Sequence, residues 1–299
     1  RSLPASFETL ARSIIGQTRA ALGTTALGFD GALSRLAEIG VTTTNTGDLE
    51  VNDTKLDAAL KSSHDDVAGV LTRFADMPAE SGLSNATFTD AVERGTYAVA
   101  ITSLATSGTI AATVASAGFP KTISSSNNDF QMTVDGTASG TITLTSQAYA
   151  NLGVLATEMQ TRINADATLR AAGKSVTVSV SGDDLEIRSN SVGSTSTVQI
   201  TNSGGDSTIT TLGLDSPTTT NGTDLVGTIG GVAGVAEGNV LTAATSSNAA
   251  GITVEVSSTT GGNITISDGV VDQLDTLLAT FLATDSTIDT RISRLQEGA

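Results

Sequence analysis

The chain has 299 residues, room for two modest domains, with hydrophobic residues at 38%, aromatics at 3% and no Trp, so its core has to be built from Ala, Val, Ile and Leu. Lys and Arg number 15 against 31 Asp and Glu, a formal net charge of -16 that repels phosphate backbones and anionic lipid surfaces and argues against nucleic-acid and membrane partners. The absence of Cys excludes disulfides, thiolate metal sites and a cysteine nucleophile, and a single His leaves no transition-metal cluster of the usual kind.

With 31 Gly, dense Ser and Thr and no Cys, the composition resembles that of an exported bacterial surface protein more than that of a small secreted eukaryotic domain. No apolar run approaches the roughly 18 residues of a membrane span. The start, RSLPASFETLARSI, has no cleavable signal pattern or initiator Met and reads as a fragment whose N-terminal portion is missing.

The first predicted element is a helix over residues 3–22, with Leu3, Phe7, Leu10, Ile14 and Ala21 on one stripe. A shorter helix carrying Leu33, Leu36 and Ala37 runs to Gly40. In IGVTTTNTGDLEVNDTKLDAAL, Asn45–Asp48 forms a turn, Leu49 and Val51 a short strand, and Asn52 or Asp53 caps a helix over about 54–75. Pro78 and PAESGLSN end this block.

From about residue 95 the apolar period changes from helical to alternating. Tyr97, Val99 and Ile101 mark one strand; Phe130, Met132 and Val134 another, turned by DGTASG onto Ile142 and Leu144. A helix with Leu152, Leu155, Ala156, Met159 and Ile163 follows, then strands at Val176–Val180 and Leu185–Ile187, making a hairpin–helix–hairpin unit. Short Ser-, Thr- and Gly-rich strands continue to Ile252, Val254 and Val256. From about residue 269 the chain is helical again, with Leu274, Phe281, Ile288 and Leu295 at heptad spacing and Leu277 and Leu278 beside the first pair. Asp285–Asp289 is a candidate internal cap.

The fold class that results is α+β: a discontinuous helical domain built from both ends of the chain, with a β-rich block inserted. The expected boundaries are a helical segment at 1–77, a linker at 78–94, a β-rich head at 95–267 and a closing helix at 268–299. No catalytic, cofactor or metal site emerges, and none is expected. An EF-hand alignment of the Gly47 loop would place Thr42, Thr44 and Thr46 where carboxylates are needed. His64 falls on a polar helix face. The glycines of GTIGGVAGVAEG lack the Lys-Ser/Thr of a phosphate loop, and Asp65-Asp66 and Asp183-Asp184 read as a solvated face and a hairpin turn. The seam residues Leu274, Leu278, Phe281, Ile288 and Leu295 are the candidate assembly interface, because a single helix cannot bury them.

Three stretches resemble the flagellar filament-capping protein (hook-associated protein 2) family. LSRLAEIGVTTTNTGDLEVNDTKLDAALKSSHDDVAGVL is similar to its C-terminal signature, and VVDQLDTLLATFLATDSTIDTRISRL to its closing helix. Residues 130–200 are similar to the repeat shared by flagellins, hook-associated proteins and caps, placed at about 128–200. GTYAVAITSLATSG resembles a strand that introduces head domains. The resemblance implies a non-enzymatic protein without cofactors, exported by the flagellar secretion system to the extracellular filament tip. There it would form a homo-oligomeric ring, with flagellin as partner and helical legs beneath a β head. Two alternatives stay open: a flagellin or hook–filament junction protein, and a surface adhesin binding host glycans or mucin.

Overall fold

A computed structural model describes residues 5–23, 33–44, 48–112, 119–182, 184–204 and 207–283. Its described helices are α1 (Ala5–Gly23), α2 (Asp53–Ser62), α3 (His64–Leu71), α4 (Leu152–Ala165), α5 (Ala167–Ala171), α6 (Thr208–Thr211) and α7 (Val270–Leu282). Strands complete a mixed α and β architecture. The chain divides into two compact units. One comprises Arg1–Pro78, Phe88–Tyr97 and Asn263–Ala299, the other Ala79–Thr87 and Ala98–Gly262.

The first unit has a core drawn from distant parts of the chain: Leu36, Ile39, Ala59, Val67, Val70 and Val270 are buried together. The stretch expected as a helix up to Gly40 is instead a turn. Glu38 takes the Ser34 and Arg35 amides on its carboxylate, at 2.6 and 3.0 Å, and Gly40 sits at φ 90°, where a helix cannot continue. Those amides, Ser34 first, hold the Glu38 carboxyl below its ordinary range.

Val41–Thr43 and Leu49–Val51 then pair antiparallel. Asn52, not Asp53, is the cap of α2: its side chain accepts from the Lys55 amide at 2.9 Å. The single helix expected over 54–75 is broken at Ser63, which leaves helical geometry at φ -153°, ψ 61°. Ser62-Ser63 competes for backbone bonds, while Asp65 and Asp66 favour a new N-terminus there. Phe74–Asp76, the end of that expected helix, is a strand paired with Gly262–Ser267.

In the second unit, Leu83–Thr87, which falls within the 78–94 segment expected as a linker, is a strand paired with Thr253–Val256 at the edge of a four-stranded sheet. The hairpin–helix–hairpin unit forms, with one change at its first turn. Asp135 and Gly136, at φ 50° and 79°, make a two-residue turn that pairs Val134 with Thr137. The chain then passes Ser139 and pairs again at Phe130 and Ile142, so the six-residue turn expected there does not form.

Leu155, Ala156, Met159 and Ile163 of α4 pack into one core with Phe130, Met132, Val134 and Ile187. Asn151 caps α4 by accepting the Val154 amide at 3.0 Å. Val176–Ser181 and Asp184–Ser189 pair in continuous register. Asn45–Gly47, Asp285–Asp289, Ile288 and Leu295 lie outside the described residues.

Candidate functional site

The first unit places the start of α7 with a charged cluster. Strand Gly262–Ser267 ends at Asp268, which is only 6% exposed and faces two guanidinium groups. Arg73 Nε lies 3.6 Å from Asp268 Oδ1, and Arg94 Nε contacts Oδ2 closely. Arg73 also donates to the Asp90 carbonyl at 3.1 Å and to the Val92 carbonyl, and stacks 5.6 Å over the Phe88 ring. Arg94 donates to the Thr276 hydroxyl at 3.2 Å, in the second turn of α7. Asp268 therefore ties the strand Phe74–Asp76, the 88–94 segment and α7 to one point.

Gly269 follows, and its backbone runs so close to Leu71 that a Cβ there would lie 2.4 Å from the Leu71 carbonyl carbon. Only glycine admits that approach, which seats Val270, fully buried, in the core. Beside it, Asp90, Glu93, Asp268, Asp272 and Asp275 with Arg73 and Arg94 line a cleft of about 510 Å³ with an excess of negative charge.

Helix α7 carries the predicted seam. Leu274 and Phe281 are half-buried, on the same face as Val270 and Leu277. Leu278 is 41% exposed and belongs to a second stripe with Val271 at 52% and Leu282 at 79%. Of the candidate interface residues among those described, Leu274 and Phe281 are half-buried and Leu278 faces outward. α7 packs against α1 and α3.

The other motifs take structural places. His64 is exposed, with Nδ1 3.5 Å from Asp65. Asp66 Oδ2 accepts the Leu33 amide at 3.3 Å. GTIGGVAGVAEG forms the hairpin of Val226–Ile229 with Val232–Ala233, turned at Gly230 and Gly231, both at positive φ. Among the described residues, no group of three or more His, Cys, Asp or Glu is placed to hold a metal ion, and no helix is long and apolar enough to cross a membrane.

The Arg73–Asp268–Arg94 cluster was not found from sequence. Its members are spread over 196 positions, and an Arg in a turn looks the same paired or solvated. The one available signal was the Asp-Gly directly before an apolar helical run, which marks a constrained helix entry.

A core shared by residues 36–70 and Val270, with apolar and charged surface around α7, belongs to a protein of mixed α and β fold. The profile of the family described as Flagellar hook-associated protein 2 C-terminus matches residues 8–161, half of the chain, and the chain belongs to that family.

Solved structures similar to it include the D2–D3 domains of the flagellar cap protein FliD from Escherichia coli, at 20% identity over 66% of this chain and 99% of that one, TM-score 0.44. FliD (HAP2) from Pseudomonas aeruginosa PAO1 is 18% identical over 73% and 92%, TM-score 0.41. The D1–D2–D3 domains of the E. coli protein are 16% identical over 90% and 65%, TM-score 0.39. No curated protein sequence matches the chain. Membership in the family associates the chain with the flagellum.

Proposed function

We propose that the chain is a non-enzymatic subunit of a flagellar filament cap, a homo-oligomeric ring at the filament tip that promotes insertion and folding of flagellin beneath it. The family supports the setting. The observation that carries the reading is the core shared by Val270 with Leu36, Ile39, Val67 and Val70, which makes the two ends of the chain one body and leaves an apolar stripe of α7 in solvent. In this reading the helical segments 1–77 and 268–299 are the leg, residues 95–267 are the head, and binding at apolar faces replaces bond chemistry. Leu278 is the exposed seam residue among the described ones and is the one that meets a partner.

The test is complementation of a motile strain lacking its cap, using Leu278→Asp beside a deletion from Val270 onward. The expected outcome is flagellin shed into the medium without filament growth for both variants, and filaments with the parent protein at their tips. Normal filaments from the deletion, or the parent protein at the filament base, would refute a cap.

A further inference from the structure

The second unit is built as two lobes. In one lobe, Ile110, Phe130, Met159, Ile187 and Leu214 are buried in a common core, and none of the buried Leu225, Ile229, Leu241 and Val254 belongs to it. The chain crosses between the lobes twice. The strand ending at Ser103 leads through 104–108 to Thr109–Ala111, and Thr218–Thr220 returns through 221–225 to Val226–Ile229. These strands pair antiparallel on either side, so the two crossings run together as a narrow ribbon. At its middle the Thr106 amide donates to the Thr223 carbonyl and the Thr223 amide to the Thr106 hydroxyl, both at 2.9 Å.

Two strands outside a larger sheet twist and bend easily. A third segment stiffens this pair: the loop Val192–Ser196 of the first lobe. The Gly193 amide donates to the Thr106 carbonyl at 2.9 Å, the Gly222 amide to the Ser196 carbonyl at 2.9 Å and the Gly108 amide to Ser196 Oγ at 2.8 Å. The backbones are pressed together. A Cβ on Gly222 would lie 2.3 Å from the Gly193 carbonyl oxygen, and one on Gly193, at φ 106°, would lie 2.7 Å from Gly238 Cα of the second lobe.

Asp224 stands at this crossing, half-buried. Its Oδ1 accepts the Ser194 amide of the first lobe at 2.9 Å and the Gly238 amide of the second at 2.8 Å, and the adjacent Leu225 amide donates to the Gly238 carbonyl at 3.0 Å. One carboxylate oxygen therefore holds a backbone amide from each lobe, while the helices and strands pack chiefly within their own lobe.

We propose that Asp224 latches the two lobes at one angle, and that without its carboxylate the ribbon becomes a hinge. A rotation that separates Ser194 from Gly238 breaks a charge-assisted bond, which is stronger than a neutral one. Tight packing of Gly193 on Gly238 fixes the same angle by shape. The latch acts inside one chain and does not depend on the cap reading.

Because the chain has no Cys, Val154→Cys in the first lobe and Ser246→Cys in the second, both exposed, each take a spin label in the full chain. Electron–electron distance measurement should give one narrow distribution. Asp224→Ala and, independently, Gly193→Ala should each broaden it by roughly twofold, as a released hinge does. Asp224→Asn, which keeps an oxygen for both amides, should stay close to the parent. Hydrogen exchange of Asp129–Val134 and Thr253–Val256, one strand from each lobe, should match the parent in every variant. A parent distribution that is already broad, or parent width in both Asp224→Ala and Gly193→Ala, overturns the latch. Broadening accompanied by lost protection in either strand overturns it too, since Asp224 would then support the fold of a lobe and not the angle between them.

Discussion

Replacing Asp135 with Asn removes one charge and almost no volume from the second unit. The Asp135 side chain is 4% exposed, and its carboxylate accepts from Ser189 Oγ at 3.0 Å, Ser191 Oγ at 2.6 Å and the Thr197 amide at 3.0 Å, with Lys174 Nζ at 3.5 Å. Burial pushes its pKa up, but the bonds from Ser191, Thr197 and Ser189 and the Lys174 charge outweigh burial and hold it below the ordinary range. A bond to a charged acceptor contributes about 1.5–3 kcal/mol and a neutral one about 0.5–1.5, and Asn turns one acceptor into a donor facing donors. The expected loss is about 2–4 kcal/mol, against the roughly 5–15 that hold a typical domain.

The assay is urea unfolding followed by tyrosine fluorescence, in a Tyr97→Phe background that leaves Tyr149, 1% exposed in that unit's core, as reporter. The midpoint should fall with an unchanged slope. Because the folded pKa is depressed, the Asp135 contribution is complete above the unfolded value of about 3.9 and is lost as pH falls through the folded one. The gap between parent and Asp135→Asn should therefore be full at neutral pH and shrink in acid. Equal midpoints at neutral pH, or a gap that acid leaves untouched, would refute the reasoning.

Two further substitutions probe the first unit. Asn52→Ala removes the cap that accepts the Lys55 amide and should cost about 1 kcal/mol, read as faster hydrogen exchange in the first turn of α2. Asp268→Ala takes away the carboxylate 3.6 Å from Arg73 Nε, on a side chain only 20% exposed, and should cost about 2–4 kcal/mol in urea unfolding. Arg94, at 57% exposure, contributes little of that. Arg73→Met added to Asp268→Ala should recover part of the loss, and a double variant worse than the single one would count against an uncompensated charge as the cause.

What was legible in the sequence was periodicity with a strong physical cause. Leu155, Met159 and Ile163 fall on one helical face because that face is buried, and Val176 and Val178 alternate with exposed Thr177 and Ser179 because one side of that strand is covered there. What was not legible depended on partners far away in the chain. Leu83–Thr87 has only Leu83 buried and carries Asn85 at positive φ, so its pattern is weak, and the Thr253–Val256 edge makes it a strand. Ser63 breaks a run whose apolar spacing fits one long helix, because periodicity reports the face and not the continuity of the backbone. The candidate interface was half legible for a related reason. A heptad count at Leu274 and Phe281, with Leu277 and Leu278 beside them, locates an apolar helix, but which of two adjacent stripes stays in solvent is decided by Gly269 pressed on Leu71 and by Asp268 between its arginines.

The same carboxylates explain how a chain with a net charge of -16 and no Cys holds loop-rich structure together. Asp135 joins its turn to Ser189, Ser191 and Thr197, and Asp224 Oδ1 accepts the Ser194 and Gly238 amides at 2.9 and 2.8 Å. Ser194 and Gly238 hold the half-buried Asp224 carboxyl below its ordinary range. Each such acid links segments 14 to 62 residues apart, the span over which a disulfide would otherwise close a loop. A carboxylate link differs from a disulfide in needing no oxidant and in opening whenever the chain unfolds. Part of the acidic excess is thus structural: those acids are satisfied by backbone amides and hydroxyls. The acids beside α7 have a different setting, since Asp272 and Asp275 line an open cleft next to exposed leucines and so keep their charge at the surface.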